Sequence, residues 1–96
     1  MILHVCTSAE WEACSQNEFY APFAFEEEGF IHCCTERQLP AVLERYFINK
    51  KDLLLLRINE TRLKEEVRFE TGPNGDEFPH IYAQVNKDAI ISVDKL

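Results

Sequence analysis

The chain opens with Ile2-Leu3-His4-Val5-Cys6, an apolar β-prone run, and passes at Thr7 into Ser8-Ala9-Glu10. Thr7 and Glu10 have the spacing of a capping box, so the pattern predicts a strand, a cap and a helix reaching about Asn17, with Trp11, Ala13 and Cys14 on its apolar stripe. Residues 18–28 follow no period: they are aromatic, then acidic, broken by Pro22 and closed by Gly29. Such a segment predicts a long loop that covers a site or packs as a side wall. The same succession then recurs. Residues 30–34 predict a strand, Thr35 to Gln38 repeats the cap spacing, and Leu39, Val42, Leu43, Tyr46 and Phe47 follow a helical stripe with Pro40 tolerated in its first turn. Residues 53–58 predict a strand buried on both faces, and residues 66–70 alternate charged and apolar as a half-exposed strand does. Turn-forming residues 71–77 separate this from strands at 78–82 and 90–93. About six short strands with two helices make one α+β domain over residues 1–96.

Composition agrees with one core: 96 residues, 46% hydrophobic and 28% charged, with 3 Gly and 4 Pro, exclude disordered, collagenous and repeat architectures. A domain this short buries roughly 60–65% of its unfolded surface. Charge narrows the partners, because 10 Lys+Arg against 17 Asp+Glu leave a net −7 that repels phosphate backbones, and Lys50-Lys51 is the one basic cluster. No nucleic-acid partner is expected. No membrane span is expected either, since the apolar run at 19–25 is broken by Pro22 and falls far short of the ~20 residues needed. The first residues lack a basic leader, which predicts a cytoplasmic address; a monomer or weak dimer is expected. Cysteines at 6, 14, 33 and 34 read as reduced, buried thiols, because adjacent Cys33 and Cys34 point to opposite faces of any strand.

Chemistry centres on the histidines. All three, His4, His32 and His80, lie in apolar strand-like contexts, where burying an imidazole demands hydrogen-bonding partners. Period two places Ile2, His4 and Cys6 on one face, Phe30, His32 and Cys34 on another, and His80 with Tyr82 on a third. Were the first two strands neighbours, His4 and His32 would line a common cleft ending at Thr7 and Thr35. Hydroxyls and free N–H groups at those helix starts either bind an anion such as pyrophosphate or serve only as caps. His4, Cys6, His32 and Cys34 could complete a zinc centre, but their spacing is not that of known zinc folds and no metal is expected. Cys34, at a helix start near a histidine, is a candidate nucleophile. Glu66, Arg68 and Glu70 share one side of a strand, where an exposed charge ladder is the plain reading.

Residues 2–7 with Trp11, Glu28-Gly-Phe-Ile-His-Cys-Cys-Thr35, the strand at 53–58, Glu66-Val-Arg-Phe-Glu70 and Phe78-Pro-His-Ile-Tyr82 together resemble the domain-of-unknown-function family 952 over nearly the whole chain. Cys34 departs from the serine usual there, so no hydroxyl-based role carries over to it. The resemblance implies a compact split β-sheet like that of ADP-ribosyltransferases, holding NAD or an ADP-ribose-like nucleotide in a cleft. On that analogy His4 is the first-strand group, His32 with Thr35 the middle motif, and His80 with Tyr82 the third. His4, His32 and His80 become the catalytic candidates. Thr7 and Thr35 would donate to phosphate and Tyr82 would stack on a ring. The third motif lacks the glutamate of the protein-modifying enzymes, for which Glu66 or Glu70 could substitute, and Arg37, Arg57 or Arg68 would have to offset the acidic total charge. The competing readings are a non-catalytic small-molecule binding or protein-interaction module and a His/Cys zinc-binding domain.

Overall fold

The computed structural model describes all residues 1–96. In chain order, strand β1 (Ile2–Thr7) leads into helix α1 (Ser8–Ala13), then β2 (Phe19–Tyr20), α2 (Phe25–Glu28), β3 (Ile31–His32) and α3 (Leu39–Tyr46). Strand β4 (Leu53–Ile58) follows, then β5 (Val67–Thr71), β6 (Glu77–Ile81), β7 (Val85–Asn86) and β8 (Ile90–Lys95), with 3-10 turns at Glu60–Arg62 and Lys87–Ala89. Three antiparallel sheets result, ordered β1-β4-β8, β2-β7 and β3-β6-β5. Leu3 and Cys34 exchange backbone hydrogen bonds of 2.8 Å in both directions, which joins the first sheet to the third through one bridge.

Two apolar layers sandwich the β1-β4-β8 sheet, and β4 is buried on both faces as its unbroken leucine run predicts. On one face Ile2, Cys6, Leu54, Leu56 and Ile58 pack with Tyr20, Ile31, Ile81 and Val85. On the other, Leu3, Val5, Leu53 and Leu55 meet Leu39, Val42 and Leu43 of α3 and Phe47 at its C-cap. Leu56 is fully buried, a burial that contributes about 1.5–3 kcal/mol. No helix is long and apolar enough to cross a membrane.

The expected six strands and two helices are eight strands and three α-helices. The additions are local. Strands β2 and β7 are two residues each and pair only with one another. Helix α2 is a single turn that Gly29 ends at φ +81°, a left-handed conformation for which glycine is suited. Helix α1 stops at Ala13, four residues short of the expected end, because residues 14–17 turn back.

Candidate functional site

The β3-β6-β5 sheet turns Ile31, Ile81 and Val67 toward the core and presents its other face outward. In antiparallel pairs, directly opposed residues share a face, and the register aligns His32, His80 and Arg68 in one row across the three strands. Phe30 packs against this row, its ring centroid 4.6 Å from His32, 4.4 Å from His80 and 5.2 Å from Tyr82. The His32 and His80 rings meet edge to face at 5.3 Å.

Each of these two histidines is held by a carboxylate. Nδ1–H of His80 donates to Glu70 Oε1 at 2.7 Å, and Nε2–H of His32 donates to Glu28 Oε2 at 2.9 Å. Tyr82 O–H donates to the same Glu70 oxygen at 2.5 Å. The hydrogen bonds from Tyr82, then His80, hold the Glu70 carboxyl below its usual range, and the Glu70 anion pushes the Tyr82 phenol up. Nε2 of His80 has no partner in the protein; since no buried side-chain nitrogen or oxygen lacks one, this atom is open to solvent.

His32 and His80 stand at the wall of a cleft of about 770 Å³. Helix α3 and its C-cap form a second wall through Val42, Tyr46 and Phe47, the β5-β6 hairpin a third through Thr71, Gly72 and Phe78, and β1 contributes the floor. Gly72 is required there, because a Cβ at this position would lie 2.8 Å from the Phe78 ring. Glu10, Glu28 and Lys50 are the fully charged side chains of the lining.

His4 lies in the floor of that cleft but is only 5% exposed. Its Nδ1 meets the His32 carbonyl at 2.7 Å, and a carbonyl only accepts, so Nδ1 carries the proton and Nε2 accepts from Tyr20 O–H at 2.8 Å. Both ring nitrogens are thereby engaged, and burial keeps the imidazole neutral by lowering its pKa. The side chains of His4 and His32 therefore reach the cleft in different states, the first locked and the second half-exposed.

Thr7 and Thr35 lie outside the lining. The Thr7 hydroxyl accepts from Glu10 N–H at 3.1 Å while Glu10 Oε1 accepts from Thr7 N–H at 2.9 Å. Thr35 N–H donates to Gln38 Oε1 at 2.9 Å. The Thr7 bonds form the expected capping box on α1, whereas the Thr35–Gln38 bonds close a turn ahead of α3, which starts at Leu39 with Gln38 as an N-cap that makes no side-chain cap bond; the cap expected at Thr35 is displaced by that turn. Tyr82 also lies outside the lining, with Arg68 stacked 4.6 Å from its ring centre and Phe30 beside it. His4, Cys6, His32 and Cys34 do not assemble a donor set, and no group of three or more His, Cys, Asp or Glu side chains is arranged to hold a metal. Cys34 is 2% exposed and burial pushes its thiol up to about 11, the opposite of an activated nucleophile. Glu70, singled out in sequence as one rung of a charge ladder, is the group that binds both His80 and Tyr82.

The arrangement is thus a small α+β domain with a cleft whose wall carries two carboxylate-held histidines. The same fold occurs in protein CC0527 from Caulobacter crescentus, a structural-genomics target. Its crystal structure matches with a TM-score of 0.88 at 24% identity, covering 99% of this chain and 84% of that one. Its solution NMR structure matches with a TM-score of 0.81 at 26% identity, over 99% and 83%. These likenesses show a small α+β fold and give no support to the ADP-ribosyltransferase-like arrangement that the resemblance implied. Among curated proteins none matches the sequence. Residues 5–93 match the family described as "Protein of unknown function (DUF952)", and the chain belongs to that family.

Proposed function

We propose that the domain is an acid–base enzyme acting on a small ligand held in the 770 Å³ cleft, with His80 as the proton-transfer group. One observation carries this reading: the Nδ1–H of His80 is fixed at 2.7 Å on the Glu70 carboxylate while Nε2 is left free. A carboxylate on Nδ1 selects the tautomer whose Nε2 lone pair accepts a proton, and it stabilises the imidazolium that forms. Tyr82 keeps Glu70 ionised by donating to the same oxygen. His32, held by Glu28 with its ring 5.3 Å from that of His80, is the second proton carrier.

A nucleotide of the NAD or ADP-ribose type, undergoing ADP-ribosyl or related transfer, is the finer version of this reading. Support for it comes from the family resemblance and from a cleft volume within the ~300–1,000 Å³ of small-molecule sites.

The test is thermal unfolding against NAD, ADP-ribose, ADP, a 2′-phosphorylated nucleotide and simple phosphomonoesters, followed by turnover of whichever ligand stabilises the protein. A ligand at 100 times its Kd adds about 2.7 kcal/mol, which raises Tm by on the order of 10 °C in a domain this size. His80→Ala is expected to lower turnover by about 10²–10⁴-fold and Glu70→Gln by less. Turnover that His80→Ala leaves intact, or a stabilising ligand that is never turned over, refutes the acid–base reading; the latter outcome establishes the binding module.

A further inference from the structure

Beside the main cleft lies a second, smaller hollow of about 80 Å³, formed where α3 faces the turn of the β5-β6 hairpin. Two adjacent ridges of α3 and its lead-in line it: Arg37, Ala41 and Arg45 at four-residue spacing, and Gln38, Val42 and Tyr46 at the same spacing one position on. Neither Arg37 nor Arg45 is within ion-pair distance of a carboxylate, whereas Arg57 meets Glu36 at 3.0 Å and Asp94 at 4.0 Å and Arg68 lies over Tyr82. In a chain of net charge −7, two arginines without an ion-pair partner line one hollow. Ala41 between them has no side chain beyond Cβ and leaves the space open.

The hollow is braced. Buried Gln38 donates through Nε2 to the Glu77 carbonyl at 2.7 Å while its Oε1 accepts from Thr35 N–H, which ties the start of α3 to β6 and fixes the spacing of the two walls. Asn74 and Asp76 close the hairpin side, and Asp76 is the one carboxylate there. Val42, Tyr46 and Phe78 line both this hollow and the main cleft, so one ligand can span the two.

We infer that the hollow is an anion subsite that takes the phosphate of a small phosphomonoester, whose apolar or aromatic remainder lies across Phe78 into the cleft. Two guanidinium forks match a dianion, where a carboxylate would need only one. The space holds several water-sized volumes, which suits a phosphate group and not a whole nucleotide. The inference rests on the acid–base reading only for where the rest of the ligand points.

Phenyl phosphate is the probe, titrated by calorimetry and by backbone amide shifts in the full chain. Saturable binding is expected, weakened at least about tenfold by Arg37→Gln and by Arg45→Gln through loss of a charge-assisted contact. Ala41→Phe, which fills the hollow and keeps both charges, should abolish it. Asp76→Asn should tighten it. Arg57→Gln, which removes a cation that is paired with Glu36 and Asp94 and does not line the hollow, should leave it within twofold. Absence of saturable binding to the wild type, or binding that the arginine and Ala41 variants leave unchanged, overturns the subsite. Loss of binding in His80→Ala alone also overturns it, by moving the anion to the histidines. Binding as described together with full turnover by His80→Ala leaves the subsite standing and removes only the earlier reading.

Discussion

His4 is the histidine whose removal should be felt most in stability. Its imidazole connects three elements by satisfying the His32 carbonyl on β3 and the Tyr20 hydroxyl on β2 from its place on β1. His4→Ala removes the imidazole partner of both groups and leaves a ring-sized void, and Tyr20 is fully buried. An unpaired buried polar group costs about 1–3 kcal/mol, and water entering the void recovers part of that. With the lost packing, the total comes to about 3–5 kcal/mol. That is a large share of the roughly 5–15 kcal/mol that holds a domain together. The assay is urea unfolding at neutral pH with the slope checked for constancy, alongside Tyr20→Phe, which removes only the hydroxyl and should cost about 1–2 kcal/mol. The double variant should fall short of the sum, since both single changes break the same bond. Acid adds a second readout. The unfolded chain binds a proton at His4 below its ordinary pKa of 6.5 while the native one, with its pKa lowered by burial, does not. Stability from this group is therefore complete above pH 6.5 and declines as pH falls below it, and His4→Ala should flatten that decline. A His4→Ala protein within about 1 kcal/mol of wild type refutes the structural assignment and returns His4 to the ligand-binding candidates.

Two further outcomes test the fold around the cleft. Gly72→Ala would place a methyl 2.8 Å from the Phe78 ring, and displacing that ring or the hairpin should cost about 1–3 kcal/mol in urea unfolding; an unchanged midpoint would show the hairpin to be looser than described. The thiols should be inert in the native state, because all four cysteines are buried and burial pushes Cys6 and Cys34 up to about 11 and Cys33 higher still. A colourimetric thiol assay at pH 8 is expected to detect four groups in denaturant and essentially none without it, and rapid native labelling of Cys33 or Cys34 would contradict the burial.

The parts of the fold that announce themselves in sequence are those with a local cause. Strands β1 and β4 carry continuous apolar runs, β5 alternates, and Thr7 with Glu10 forms the capping box its spacing predicts. Strands β2 and β7 exist only because distant residues 19–20 and 85–86 meet, and a two-residue strand has no period to read. The site divides in the same way. Period two correctly placed His32 and Phe30 on one face, but whether His4 shares a free surface with His32 depends on how two sheets join. They join by the single Leu3–Cys34 bridge, beside which the His32 carbonyl meets Nδ1–H of His4. Arg45 had no sequence signal at all: its eight-residue separation from Arg37 acquires meaning only once the hairpin closes the hollow between them.

That contrast bears on how an acidic domain can hold an anion. Helix starts are the usual place to look, yet the N–H groups of Thr7, at the cap of α1, and of Thr35, in the turn ahead of α3, already have oxygen acceptors: Glu10 takes the first and Gln38 the second. A phosphate at either would have to displace a bond already made. Gln38 instead uses the other end of its amide to brace α3 against β6, so the residue that closes the helix start also sets the width of the hollow between Arg37, Arg45 and the hairpin. The proton-transfer histidine and the anion subsite then stand on the two strands of one hairpin and the helix packed against it, linked by Phe78. Gln38→Ala should therefore weaken phenyl phosphate binding even though its side chain carries no charge, while leaving the Glu70–His80 pair intact. Affinity unchanged by Gln38→Ala in a folded protein would show that the arginines need no such brace.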